Sequence, residues 1–267
     1  MVSQWQFKQP TEGIQLTKNT ACLCVLVASV LSACGGGGDS GATAGPSAEG
    51  AYSGAITGSS TSSAFSAVVL EDGQVWALYG NAIGGGLVVG GIVQGQGISN
   101  NGTFTSTTIK DFGYLPPVAG TLDATYVAGA SIQGTVTAGG GSIGLSGSAI
   151  PSTSFNYNTP ALVSNIAGNW TLSSTSGNTI AINIASNGTF TGTATDGCTL
   201  SGSVAARPSG KNIFNVQLTN GPAPCALPGL QASGIGIYTA LASGAHQLIV
   251  AVVDSSRTYG AASFGTR

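Results

Sequence analysis

The feature that most constrains the fold of this chain is an alternation of apolar and polar side chains, interrupted by glycine turns. In the stretch TIAINI, Ile180, Ile182 and Ile184 fall on one face of an extended segment, and a period of two is the signature of a half-buried strand. Asn187-Gly188 follows, and Asn-Gly favours a tight hairpin turn because both residues tolerate positive φ angles. The alternation then resumes in TFTGTA. We therefore predict a β-hairpin over 179–194 with one buried face.

The same pattern recurs from about residue 50 onward. It predicts hairpin turns at 71–73 and 101–102, and it places Phe214, Val216 and Leu218 on the inner face of another strand. A segment near the end, HQLIVAVVD, is apolar on both faces, which is typical of a central strand. No stretch after the tether shows helical periodicity over more than a couple of turns.

The chain divides into two similar halves. Each half opens with glycine, any residue and an aromatic residue, at 50–52 and at 168–170, followed at a similar distance by its first hairpin turn. This pattern indicates a degenerate internal duplication, with the chance similarity of two β-domains as the alternative. Each half has about eight short strands, so we predict an all-β protein with two small antiparallel β-barrel or sandwich units in tandem, at 49–150 and 167–267.

The segment between the halves, 151–166, is the predicted linker. Within it, Thr159 is positioned to cap a short helical turn that has Pro160 at its first position, where the missing N–H of proline costs nothing.

The chain begins with features of an export signal. The apolar run at 21–33 is too short to cross a bilayer core of roughly 30 Å, which needs about 20 residues. Lys8 and Lys18 precede this run and small residues end it, as in a secretory signal peptide. We therefore predict a signal peptide over 1–33.

Leu31-Ser32-Ala33-Cys34 resembles the lipobox of bacterial lipoproteins. The resemblance implies cleavage between Ala33 and Cys34, a diacylglycerol on the Cys34 thiol and acylation of the new amine with chains such as palmitate. Two or more acyl chains hold a protein stably on a membrane, so the bilayer is the expected partner of Cys34. The alternative is an ordinary signal peptide followed by an incidental cysteine.

Residues 34–48 are almost all Gly, Ser, Ala and Pro, a composition typical of a flexible tether. Gly35 follows the lipidation site where an aspartate would favour retention in the inner membrane. The lipoprotein resemblance therefore implies the outer membrane, on its periplasmic or its external face.

Charge is sparse throughout the chain. Only 6% of the residues are charged, against about 25% in an ordinary domain. With no basic patch to neutralise phosphates, nucleic-acid binding is excluded as an expected function.

Cysteine use agrees with export. After removal of the signal peptide and lipidation of Cys34, only Cys198 and Cys225 remain. Two cysteines in an oxidising compartment predict a single disulfide, worth roughly 3 to 4 kcal/mol in the loop-entropy model. If the halves are independent, the loss of this bridge would weaken the second half alone. The alternative is a metal site, for which His246 is the only histidine in the chain, and we expect neither a metal nor a cofactor.

Candidate catalytic residues have simpler explanations. Ser142 lies in a G-x-S-x-G pattern, but this pattern marks a hydrolase nucleophile only on a strand-to-helix elbow, and a glycine-rich loop and strand are predicted instead. His246 follows a turn, and Glu71-Asp72 precedes a glycine in another. We therefore predict no catalytic residue. The aromatic residues that could line a ligand cavity are Tyr52, Trp76, Tyr79, Trp170 and Phe214, and they are more typical of a barrel core.

These motifs together resemble a family of β-rich proteobacterial lipoproteins of uncharacterised function. The resemblance rests on the lipobox, GAYSGAI with LEDGQVWALYG, GNWTLSS, the two cysteine motifs and RTYGAASFGTR. A looser similarity connects the chain to the barrel lobes of transferrin-binding-type surface lipoproteins, although it lacks their long charged binding loops. The resemblance implies location and architecture more than activity. A tethered anchor joined to two compact β-units without a catalytic set instead favours a non-enzymatic envelope lipoprotein that binds a partner protein or a small ligand. The alternatives are a structural or adhesive surface component and, less favoured, a hydrolase.

Overall fold

A computed structural model of the protein describes residues 46–83 and 86–267. The predicted signal peptide, the cleavage site between Ala33 and Cys34, lipidation at Cys34 and most of the tether lie outside these residues. The last tether residues are described and contact the first barrel. Ala48 is fully buried, and its N–H donates a hydrogen bond to Ser99 Oγ at 2.9 Å. No helix in the described part of the chain is long and apolar enough to cross a membrane.

The described residues form seventeen strands and one short helix. The first nine strands are β1 (Gly50–Thr57), β2 (Ala64–Val69), β3 (Gln74–Ile83), β4 (Gly86–Gln96), β5 (Ile98–Asn100), β6 (Thr103–Asp111), β7 (Val118–Val127), β8 (Ser131–Ala138) and β9 (Gly141–Ala149). The helix α1 (Val163–Ile166) precedes β10 (Gly168–Ser174), β11 (Thr179–Ile184), β12 (Thr189–Ala194), β13 (Thr199–Ala206), β14 (Phe214–Asn220), β15 (Gln231–Ala240), β16 (His246–Asp254) and β17 (Gly260–Thr266).

These strands form two closed eight-stranded antiparallel barrels, which confirms the prediction of an all-β fold with two barrel units. In the second barrel, β10 to β17 pair in chain order and β17 closes on β10. In the first barrel, β1 pairs with both β2 and β9, and β4 closes on β6 through Val93 with Asp111 and Gln94 with Lys110. The short strand β5 pairs with the start of β6, outside the ring of eight.

The predicted hairpins are confirmed. Ile182 and Ile184 are buried inside the second barrel, and β11 pairs with β12 across the turn that contains Asn187-Gly188. The turn geometry differs between sites. Both Asn101 and Gly102 have positive φ, at 46° and 84°, whereas only the glycine does so in Asn187-Gly188. In the latter turn Asn187 Oδ1 instead accepts a hydrogen bond from Thr189 N at 3.0 Å.

An apolar layer joins the two barrels. Strand β16 places Val252 inside the second barrel, while its other face carries Ile249 and Val253 into a buried cluster shared with Trp76 and Leu78 of the first barrel. The two apolar faces of HQLIVAVVD therefore reflect one barrel interior and one contact between barrels. Trp76 is a core residue, as predicted, but it lies between the barrels and not within one.

The segment between the barrels is packed into the structure. Phe155, Tyr157 and Ala161 are all buried. The helical turn is predicted to begin at Thr159 and Pro160, but α1 begins later, after Leu162. The side chain of Leu162 makes no capping hydrogen bond. Thr159 instead donates its hydroxyl proton to Asn156 O at 2.9 Å.

The few basic residues form ion pairs between segments that are distant in sequence. Arg207, which follows β13, bonds Glu71 at 2.7 Å and Asp72 at 2.8 Å in the turn between β2 and β3. Burial raises the pKa of the Glu71 carboxyl, but the hydrogen bonds and the positive charge of Arg207, with further hydrogen bonds from Ser209 and the backbone, together hold that pKa below its ordinary value. Lys211 lies 2.6 Å from Glu49 at the start of the first barrel. Both contacts join the two barrels.

Candidate functional site

One end of the second barrel is closed by large side chains. Trp170, Phe190, Phe214 and Leu248 point inward there, and each is at most 7% exposed. The helix α1 lies against this end, where Ile166 is buried and its carbonyl accepts a hydrogen bond from Trp170 Nε1 at 2.7 Å. The aromatic layer and the helix together seal the barrel.

The opposite end of the same barrel is apolar and open. Ile180, Leu200, Leu218 and Val250 pack against the barrel core but are only partly buried. Ile180 and Leu200 lie near the starts of their strands and Leu218 near the end of its strand, and antiparallel pairing brings these positions to one rim. An apolar mouth is therefore exposed at this rim.

A small apolar cavity lies between the mouth and the sealed end. Its volume is about 50 Å³. Besides Ile166, Phe190, Phe214 and the four mouth residues, its lining consists of Leu172, Ile182, Ile184, Val204, Val216, Gly236, Leu248 and Ser263. Ser263 carries the one polar side chain among these, so the cavity offers a ligand dispersion contacts and little hydrogen bonding. An apolar ligand is the class that such walls accept.

One wall of the cavity is formed by a glycine, Gly236. In the first barrel, Phe104 and Phe65 occupy the space beside Gly97 and Gly147, where an added Cβ would meet the rings at 2.3 Å and 2.6 Å. A Cβ on Gly236 would meet its nearest neighbours, side-chain atoms of Phe214 and Val216, only at 3.4 Å. In the second barrel the ring of Phe190 lies in the same way beside Gly202, at 2.5 Å from an added Cβ, so Gly236 differs from that position too.

A disulfide lies at the open rim. Cys198 in the turn before β13 is bonded to Cys225 in the loop between β14 and β15, which confirms the predicted pair. The bond ties residues 221–230 to the neighbouring hairpin turn. It thereby fixes one side of the mouth.

The first barrel holds buried ionisable groups. Tyr79 donates a hydrogen bond to Asp111 Oδ1 at 2.8 Å, and burial raises the pKa of both groups above their ordinary values. Burial also raises the pKa of Tyr52, whose hydroxyl donates to Ala48 O at 3.0 Å. Tyr52 and Tyr79 are therefore core residues, as predicted.

The structure separates the residues of the hydrolase alternative. Ser142 lies on β9, directly after a hairpin turn, and its Oγ is 2.9 Å from Thr137 Oγ1. His246 lies in the other barrel, where its ring stacks on Tyr238 at 4.8 Å between centroids. Glu71 and Asp72 are engaged by Arg207. Within residues 46–83 and 86–267, no group of three or more His, Cys, Asp or Glu side chains could hold a metal ion.

The sequence pattern predicted the inward faces but not the void. Of the five aromatic candidates, only Phe214 lines the cavity, and Trp170 belongs to the sealing layer. The missed signal is in β15, ASGIGIY, where Gly234 and Gly236 occupy alternate inward positions and leave the barrel without side chains there. A comparison of the chain with protein families, curated proteins and solved structures finds no match.

Proposed function

We propose that the protein is a non-enzymatic lipoprotein of the outer membrane whose second barrel binds the apolar end of a small ligand. The observation that carries the proposal is the open, apolar end of this barrel, backed by a cavity whose lining lacks ionisable groups. Eight-stranded barrels are wide enough to hold one small ligand. The lipobox-like Leu31–Cys34 supports the membrane anchor.

The cavity size narrows the ligand class. An engineered cavity of about 150 Å³ accommodates benzene, so a cavity of about 50 Å³ admits the last few carbons of an alkyl chain. The rest of the chain would leave through the mouth past Leu200 and Leu218. Each buried methylene contributes about 0.8 kcal/mol, which corresponds to roughly a fourfold gain in affinity.

Calorimetric titration of residues 46–267 with straight-chain alcohols tests the ligand proposal. We expect affinity to rise with each added carbon and to level off once the chain protrudes. Gly236→Leu should abolish binding, because its side chain enters the cavity without a backbone clash. Gln217→Leu on the exposed face of the adjacent β14 is the matched control and should bind like the wild type. Failure of every alcohol to bind, or unchanged binding by Gly236→Leu, would contradict the proposal.

Metabolic labelling with a clickable fatty acid tests the anchor. Cys34→Ser should take up no label and should retain residues 1–33, because lipid transfer needs the thiol and lipoprotein cleavage follows it. Cys198→Ser is the control and should label normally. Equal labelling of Cys34→Ser and the wild type would refute lipidation at this residue.

A structural or adhesive role is the second candidate, and the outer faces of the barrels favour it. On the first barrel, the exposed side chains of Thr125, Gln133 and Ser146 form one row across β7, β8 and β9. Such uncharged rows can pack against neighbouring molecules without desolvating a charge. A protein with this role alone would bind none of the alcohols.

A further inference from the structure

A groove lies on the outer face of the second barrel, across β10 to β13. Its volume is about 660 Å³, within the range of ligand sites in proteins. Its exposed side chains belong to Asn169, Thr171, Ala181, Asn183, Thr191, Thr193, Thr199 and Ser201. These side chains point away from the core, although Ile182 and Leu200 border both the groove and the cavity inside the barrel.

The polar groups of the groove form ordered rows. One row follows the strand register from Asn169 to Asn183, Thr191 and Ser201. Neighbouring strands are about 4.8 Å apart, so the row presents an amide or hydroxyl at each such step. Hydroxyl and amide side chains both donate and accept hydrogen bonds. The surface therefore matches a ligand that carries many hydroxyl groups.

The charge distribution of the groove favours neutral ligands over charged ones. No ionisable side chain lines it. The acidic residue in the adjoining turn, Asp196, is engaged by Asn178 Nδ2 at 2.8 Å and by Cys198 N at 2.9 Å. A charged ligand would lose hydration there without gaining an opposite charge. A neutral ligand carries no such cost.

The groove is accessible and partly pre-ordered. The apolar contact between the barrels uses β15, β16 and β17 together with Ile213. Arg207 and Lys211 contact the first barrel beyond the end of β13, and the polar side chains on the outer face of β10 to β13 stay exposed. Asn183 Nδ2 donates to Asn169 Oδ1 at 2.6 Å, which fixes the orientation of both amides. Ala181 and the threonine methyl groups supply small apolar contacts between the polar groups, suited to the C–H faces of a sugar ring.

We infer that this groove binds a neutral oligosaccharide. The inference goes beyond the proposed ligand of the barrel interior. Ile182 and Leu200 border both sites, but the polar side chains that would contact the oligosaccharide line only the groove. The two proposals therefore fail or succeed separately.

Titration of the full chain, solubilised in a detergent without a sugar headgroup, tests the inference. The probes are neutral hexaoses of glucose and of N-acetylglucosamine, with heparin as a charged comparison. We expect at least one neutral hexaose to bind and heparin not to bind. Asn183→Ala/Thr191→Ala removes two adjacent polar groups of the row and should weaken binding at least fivefold.

The matched control is Thr125→Ala/Gln133→Ala, which removes an equivalent exposed cross-strand pair from the first barrel. It should bind the hexaose like the wild type. All four side chains are exposed, so both variants should keep the wild-type melting temperature. Binding of neither hexaose, preference for heparin, or an equal loss in the two variants would overturn the inference. The Gly236→Leu variant should retain hexaose binding, which distinguishes this site from the cavity.

Discussion

At the scale of single residues, Arg257 combines backbone strain with a contact between the barrels. It has a φ of 54°, in the left-handed region, at a turn position where other hairpins of this chain carry glycine. Its guanidinium donates to Gln94 O and Thr108 O, both at 2.7 Å. These carbonyls belong to β4 and β6, near the closing seam of the first barrel. These hydrogen bonds therefore hold Arg257 in a backbone conformation that is unfavourable for a residue with a Cβ.

Substitution of Arg257 should separate these two effects. Arg257→Ala keeps the unfavourable φ and loses both hydrogen bonds from a charged donor, so the free energy of unfolding should fall by at least about 2 kcal/mol. Arg257→Gly loses the same bonds but relieves the backbone, and it should be more stable than the alanine variant by about 1 kcal/mol. Urea denaturation of residues 46–267 measures both values. An alanine variant as stable as the glycine variant would show that the backbone is not strained at this position.

At the scale of elements, hairpin turns with a glycine at their fourth position set the strand register. Gly188 N donates to Ala185 O at 2.9 Å, and Gly177 N donates to Ser174 O at the same distance. The two glycines have nearly equal φ values of 86° and 87°. They differ in their surroundings, because a Cβ on Gly188 would lie 2.1 Å from Val204 O, whereas one on Gly177 would meet no atom within 4 Å.

These two turns form a matched pair of tests. Gly177→Ala should lower the free energy of unfolding by about 1 to 2 kcal/mol, the cost of a left-handed conformation for a residue with a Cβ. Gly188→Ala should cost about 1 to 3 kcal/mol more, because the carbonyl of β13 must also move. Thermal and urea denaturation report both. Equal losses of unfolding free energy in the two variants would mean that β13 moves away from the new Cβ without an energetic cost.

The elements were predictable because their signals are local. Alternation identified Ile182, Ile184, Phe214 and Val216 as inward-facing, and all are buried. The position of α1 was not predictable in the same way, because Leu162 provides no side-chain cap and tertiary packing of Ile166 fixes the turn. The cavity was also hidden from the sequence, since the space beside a strand glycine such as Gly147 is occupied by the ring of Phe65, whereas a Cβ on Gly236 would meet no atom closer than 3.4 Å.

At the scale of the whole molecule, the two barrels share buried structure. The apolar cluster between them contains Leu78 and Ile92 of the first barrel and Ile235 and Ile249 of the second. The strands that form this cluster also form the barrel cores, with one face of each strand in the cluster and the other in a core. Unfolding of one barrel would therefore expose the face of the other barrel that packs against it. Sequence patterns predicted two units correctly but could not predict their contact, because the apolar outer faces of β3 and β16 are distant in sequence and each pattern is also that of a central strand.

This shared layer predicts that loss of the disulfide destabilises both barrels. Cys198→Ser/Cys225→Ser removes a cross-link worth roughly 3 to 4 kcal/mol in the loop-entropy model. Hydrogen exchange of strand amides measures where that loss appears. If the barrels unfold as one unit, the free energy of exchange should fall by the same amount in β7 and β8 as in β12 and β13, although the cysteines adjoin only the latter pair. Val136→Ala, which opens a space inside the first barrel, is the reciprocal variant and should loosen β12 and β13 equally. Unchanged exchange in β7 and β8 of the serine variant would instead show that each barrel unfolds independently and that the layer between them separates before either core opens.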